Sequence, residues 1–75
     1  MDKIVLTVYT YAHPYRFKSE YVLDNADEID HKLFLHKLGA ELVGYRAVNT
    51  LGVVKEWWDN RAKQNYATAR DKDGE

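Results

Sequence analysis

KIVLTVYTYAHPYRFKSEYVL, residues 3 to 23, reads as two β-strands folded back on one another, and the rest of the chain has to be fitted around that pair. Residues 3 to 12 are β-branched and aromatic, with Ile4, Leu6 and Val8 on one side and Val5, Thr7, Tyr9 and Tyr11 on the other. Residues 15 to 23 alternate more cleanly, Tyr15, Phe17, Ser19, Tyr21 and Leu23 against Arg16, Lys18, Glu20 and Val22, as a half-solvated antiparallel strand does. Ala12, His13 and Pro14 lie between them, and a proline without a free N–H suits a tight connection better than a central strand.

Working outward, LDNADEIDHKLFLHKLG (residues 23–39) predicts a helix. Asp24 or Asn25 caps its start, Asn25 and Glu28 have capping-box spacing, and Gly39 supplies the stop. The acidic first turn (Asp27, Glu28, Asp30) and the basic Lys37 in the last turn complement the helix dipole. Residues 41–49, ELVGYRAVN, have the length and composition of a third strand, with Gly44 marking a bulge or a close backbone approach. The run VVKEWWDNRAKQNYA, residues 53–67, reads as a second helix capped by Asn49 or Thr50, and residues 71–75 as a disordered C-terminal tail. The order ββαβα is an α+β fold: one small domain over residues 1–70, with a three-stranded, mainly antiparallel sheet packed against two helices.

A chain of 75 residues has room for one core, since it buries only about 60% of its unfolded surface. Hydrophobic residues at 45% and charged residues at 31% are globular rather than disordered proportions, and a mean hydropathy of -0.61 argues against a membrane span. Eleven basic and twelve acidic residues leave a formal charge of -1, which lacks the electrostatic footprint of a duplex-DNA binder. With no cysteine there is neither a disulfide framework nor a thiolate zinc site. The start of the chain runs directly into strand sequence, too short and polar for a signal peptide, so the expectation is a complete cytoplasmic protein.

The residues for catalysis do not converge. Glu28 and His31 have the Glu-x-x-His spacing of helical di-metal sites, but such sites need a second copy of the motif, and Glu28 is more simply the capping-box acid. The four glycines are scattered, with no phosphate loop. The single serine, Ser19, lies mid-strand rather than at an elbow, and His13 beside Pro14 is a turn residue before it is a base. No enzyme activity, cofactor or metal is expected.

Surfaces are the better lead. At 100° per residue the first helix carries two apolar stripes, Ala26, Ile29 and Leu33 with His36 at its edge, and Phe34, Leu35 and Leu38 with His31 among them; Asp30 and Lys37 separate the two. One sheet takes one stripe, and the other is left either for the second helix or for a partner. Of the two adjacent tryptophans, Trp58 is expected in the core and Trp57 at a rim. Partner binding through His31, Phe34, Leu35, Leu38 and Trp57 is therefore the preferred expectation, the partner being another protein or a second copy of the chain. Small proteins of this kind include adaptors, subunits and inhibitors, among them phage and mobile-element inhibitors of host machinery. The alternative is single-stranded nucleic acid stacking on a tyrosine-rich sheet face made of Tyr9, Tyr11, Arg16 and Lys18.

Overall fold

The computed structural model describes residues 3–71. In chain order these form β1 (Ile4–Ala12), β2 (Tyr15–Leu23), α1 (Asp27–Lys37), β3 (Glu41–Asn49), β4 (Gly52–Trp58), α2 (Asn60–Thr68) and β5 (Arg70–Asp71). The strands make one mixed sheet in the order β4-β3-β1-β2-β5, antiparallel throughout except for the short parallel pairing of β2 with β5. The domain is thus α+β with two helices, but its sheet has five strands rather than three.

The hairpin of β1 and β2 is as the alternation predicts. Ile4 faces Leu23, Val8 faces Ser19 and Tyr11 faces Arg16, with a cis peptide bond at His13–Pro14 in the turn. Ile4, Leu6 and Val8 are buried with Leu23, Tyr45 and Ala47 beneath Ile29 and Leu33 of α1, and this cluster is the main core.

The larger correction concerns residues 52–58, which are strand and not helix. Asn49, expected as a helix cap, turns the chain instead: its side-chain oxygen accepts the Leu51 N–H at 2.8 Å. Gly52 follows with φ +127°, a conformation that favours glycine, and β4 then runs back along β3 from Gly52 opposite Asn49 to Trp58 opposite Gly44. The strand is preferred because it sends adjacent tryptophans to opposite faces of the sheet. Trp57 stacks on Tyr45 at 6.3 Å between ring centroids, and Trp58 reaches Tyr9 at 5.1 Å. In a helix the two indoles would stand 100° apart, and a single packing surface would serve only one.

Helix α2 starts at its own cap. Asp59 is extended, and its carboxylate accepts the Arg61 and Ala62 N–H groups at 3.0 and 3.1 Å. The helix sits on the sheet face opposite α1, because the row Lys18, Tyr9, Gly44, Trp58 points away from Val8 and Tyr45, and Tyr66 of α2 meets Tyr9 edge-on at 5.7 Å. The helices therefore share no side of the sheet. Asp71, placed in the tail by the sequence, pairs with Arg16 in β5; residues 72–75 lie outside the described residues.

Candidate functional site

Helix α1 is held in register from its first turn. Asn25 accepts the Asp27 N–H at 3.0 Å, while Glu28 reaches back to the N–H groups of Asp24 and Asn25 at 2.9 and 3.2 Å; the residue at the N-cap, however, is Ala26, which has no side chain to cap with, so only the Glu28 half of the predicted capping box forms. Its end differs from expectation. Gly39 is not in the left-handed region, and the helix closes with a tight turn in which the Gly39 N–H donates to the His36 carbonyl at 3.3 Å.

Three contacts stop the helix rolling on the sheet. On the β2 side, Tyr21 hydrogen-bonds the Nε2 of His36, and the Lys32 ammonium lies 5.1 Å from the centre of the Tyr21 ring. On the β4 side, Lys55 donates to Asp30 at 3.1 Å. Ile29 and Leu33 point down between these flanks and are buried, although Ala26, grouped with them from the sequence, is exposed.

The second stripe consequently points straight out. His31, Phe34, Leu35 and Leu38 follow i, i+3, i+4, i+7 spacing, and the three apolar residues are 60%, 49% and 71% exposed. Exposed apolar residues are ordinary singly, whereas three large ones side by side on a rigid helix form a patch. With α2 across the sheet, no described element covers it.

Trp57, expected with that stripe, lies elsewhere. It is 44% exposed on β4, and with Asp30, Leu33, Lys37, Leu42 and Tyr45 it lines a shallow groove of about 250 Å³ along the helix flank. The structure thus brings four of the five partner-binding candidates together and sets the fifth on a neighbouring surface. Among the described residues no group of three or more His, Asp and Glu side chains is placed to hold a metal ion.

The tyrosine face is partly consumed from within. Register puts Tyr9 beside Lys18 and Tyr11 beside Arg16, the arrangement a stacking surface needs. However, Tyr9 packs between Trp58 and Tyr66, and Arg16 lies 5.2 Å from the centre of the Tyr66 ring while donating to Asp71 at 2.6 and 3.2 Å and to the Tyr66 carbonyl at 3.2 Å. The guanidinium pulls the Asp71 carboxyl below its ordinary range. Tyr11 is bonded to the Nδ1 of His13 at 2.9 Å. What stays open on this face is a shallow dish of about 310 Å³ lined by Val5, Thr7, Tyr9, Glu20, Arg46 and Val48, carrying charges of both signs.

Sequence reasoning missed the roles of Tyr66 and Asp71, since their partner Arg16 is about fifty residues away and no local pattern announces it. It also missed Leu51, Val53 and Val54, all exposed on the β3–β4 hairpin; the turn-forming letters Asn49-Thr50-Leu51-Gly52 were the available signal. In comparisons with known proteins, no family model, no curated protein and no solved structure matches the chain.

Proposed function

We propose that this is a small protein-binding module, an adaptor, subunit or inhibitor, that acts through the outer face of α1. The observation carrying the reading is the opposed placement of the helices. Because α2 occupies the far side of the sheet, Phe34, Leu35 and Leu38 have no described neighbour to cover them, and a domain this small gains little by leaving such residues in water. Inhibitors encoded by phages and mobile elements fall within this class, supported only by size and by the lack of converging catalytic groups. A cytoplasmic site of action belongs to the same reading and draws on the absence of cysteine. No helix among the described residues is long and apolar enough to cross a membrane.

The test is one substitution and its control. Leu35→Glu should leave the circular dichroism spectrum unchanged, since the new carboxylate sits in water, and should abolish capture of a partner by immobilised protein from nuclease-treated native lysate. Leu51→Glu, on the hairpin tip and 90% exposed, should keep both. Equal capture by the two variants would remove the α1 face from the function.

A further inference from the structure

We propose that the dish on the sheet face opposite α1 is a binding site for a free α-amino acid with an apolar side chain. It is a different surface from the outer face of α1 and goes beyond the protein-binding reading. Register places the two charges that define it. Glu20 of β2 and Arg46 of β3 each stand directly opposite Thr7 of β1, one on either side, and the three side chains share the face that carries Tyr9. Thr7 thereby holds a carboxylate and a guanidinium two strand spacings apart, about 10 Å between their Cα atoms, where charges on adjacent strands would have paired directly. Among the described residues no ion pair joins Glu20 to Arg46. The carboxylate beside Arg46 is Glu56, 3.9 Å from its Nε, and Glu56 is itself held by the Trp58 indole N–H at 3.0 Å. The guanidinium is steadied from the β4 side, while its Nη groups, the Glu20 carboxylate and the Thr7 hydroxyl have no hydrogen-bond partner among the described residues.

At right angles to the line of charges, along the strands, the dish is apolar. Val5 lies before Thr7 on the same face, flanked by Val22 and Val48, and Tyr9 lies after it with its ring fixed between Trp58 and Tyr66. The space enclosed, about 310 Å³, is at the small end for a ligand site. The occupant follows from this arrangement. A simple anion meets Glu20 and a simple cation meets Arg46, so either is repelled at one end; a molecule with both charges is attracted at both. Arg46 offers paired N–H donors to a carboxylate, and Glu20 accepts from an ammonium. Two such hydrogen bonds of about 2.8 Å, with the N–Cα–C backbone of one residue between them, fill the span. The interior of a peptide carries neither charge, and each added residue moves the termini about 3.5 Å further apart, so a free amino acid fits best. Its side chain then rests on Val5 and Val48.

An NMR titration of the isotope-labelled full chain with leucine tests this, with leucinamide, which lacks the carboxylate, and isocaproate, which lacks the ammonium, as companion probes. Leucine should give saturable shifts at the amides around Val5, Thr7 and Val48, with a dissociation constant of about 1 mM, as suits a shallow site. Each companion should bind about tenfold more weakly. Arg46→Gln and Glu20→Gln, both at exposed positions and checked for folding by circular dichroism, should each weaken leucine about tenfold. Arg46→Gln should also abolish the preference for leucine over leucinamide, and Glu20→Gln the preference for leucine over isocaproate, which a general loss of structure would not do selectively. Leu35→Glu on α1 should bind leucine as the wild type does, so the two surfaces are judged separately. Absence of saturable shifts, shifts centred away from the dish, equal binding of the three probes, or unchanged leucine binding in the Arg46 and Glu20 variants would each overturn the proposal.

Discussion

Gly44 occupies a place in the sheet where a side chain has no room: a Cβ built there would collide with the Trp58 indole and lie 2.8 Å from the Trp57 carbonyl oxygen. The absence of a side chain lets Trp58 lean across β3 to Tyr9, so a glycine legible in the sequence as a close approach also fastens β4 to β1. Gly44→Ala should cost about 1–3 kcal/mol in denaturant unfolding, as overpacking does. In a Trp58→Ala background the same change should cost far less, and equal costs in both backgrounds would mean that the indole is not what excludes the side chain. His36 is a second residue with a measurable signature. Burial, helped by the charge of Lys32, pushes its imidazole below the ordinary value of 6.5, so the unfolded chain binds the proton more readily than the folded one. Its contribution to stability is complete above pH 6.5 and is lost as the pH falls from there toward the folded value. Melting temperature should therefore drop between pH 7 and pH 5 more steeply in wild type than in His36→Gln, which retains a hydrogen-bonding side chain and does not titrate.

The two long elements were legible to different degrees, for reasons of period. In α1 the capping letters, the charge order and both apolar stripes are written at helical spacing, and the structure leaves Leu33 6% and Leu35 49% exposed. Leu33→Ala should accordingly cost about 2–5 kcal/mol, enough to unfold much of a domain this small, while Leu35→Ala, two residues away, should leave the monomer's unfolding free energy nearly unchanged. Within residues 53–67 the helix is real from Asn60 onward, but residues 53–58 were misread because Val54, Trp58 and Ala62 happen to fall at i, i+4, i+8 and the paired letters Val53-Val54 and Trp57-Trp58 hide a strand's alternation. The β3–β4 register also shifts between Ala47 and Val48, which blurs the pattern further. Asp59 divides strand from helix, and its cap is testable: Asp59→Ala should lower stability by about 0.5–2 kcal/mol, and Asp59→Asn, which keeps an accepting oxygen, by much less.

Across the whole molecule, the sheet separates two surfaces whose fates the sequence left undecided, because which face each helix takes depends on contacts between residues far apart in the chain. Helix α1 buries one stripe and leaves the other outside; α2 crosses to the tyrosine face and anchors there through Tyr66, which holds both Tyr9 and Arg16. The candidate nucleic-acid surface thereby spends an aromatic ring and a guanidinium on the chain's own packing. Net charge adds to the argument. At -1 overall, the molecule has no counterion-release gain to draw nucleic acid in, and the dish beside Tyr9 sets Glu20 against Arg46. Fluorescence anisotropy with labelled single-stranded DNA or RNA at low salt should therefore show weak or no binding. Tyr9→Ala should act on stability, since the ring packs on both Trp58 and Tyr66, whereas a nucleic-acid surface would show the loss in binding with folding intact. Submicromolar binding that falls steeply with added salt and disappears in Tyr11→Ala would reverse the assignment, making the sheet face rather than α1 the working surface of the protein.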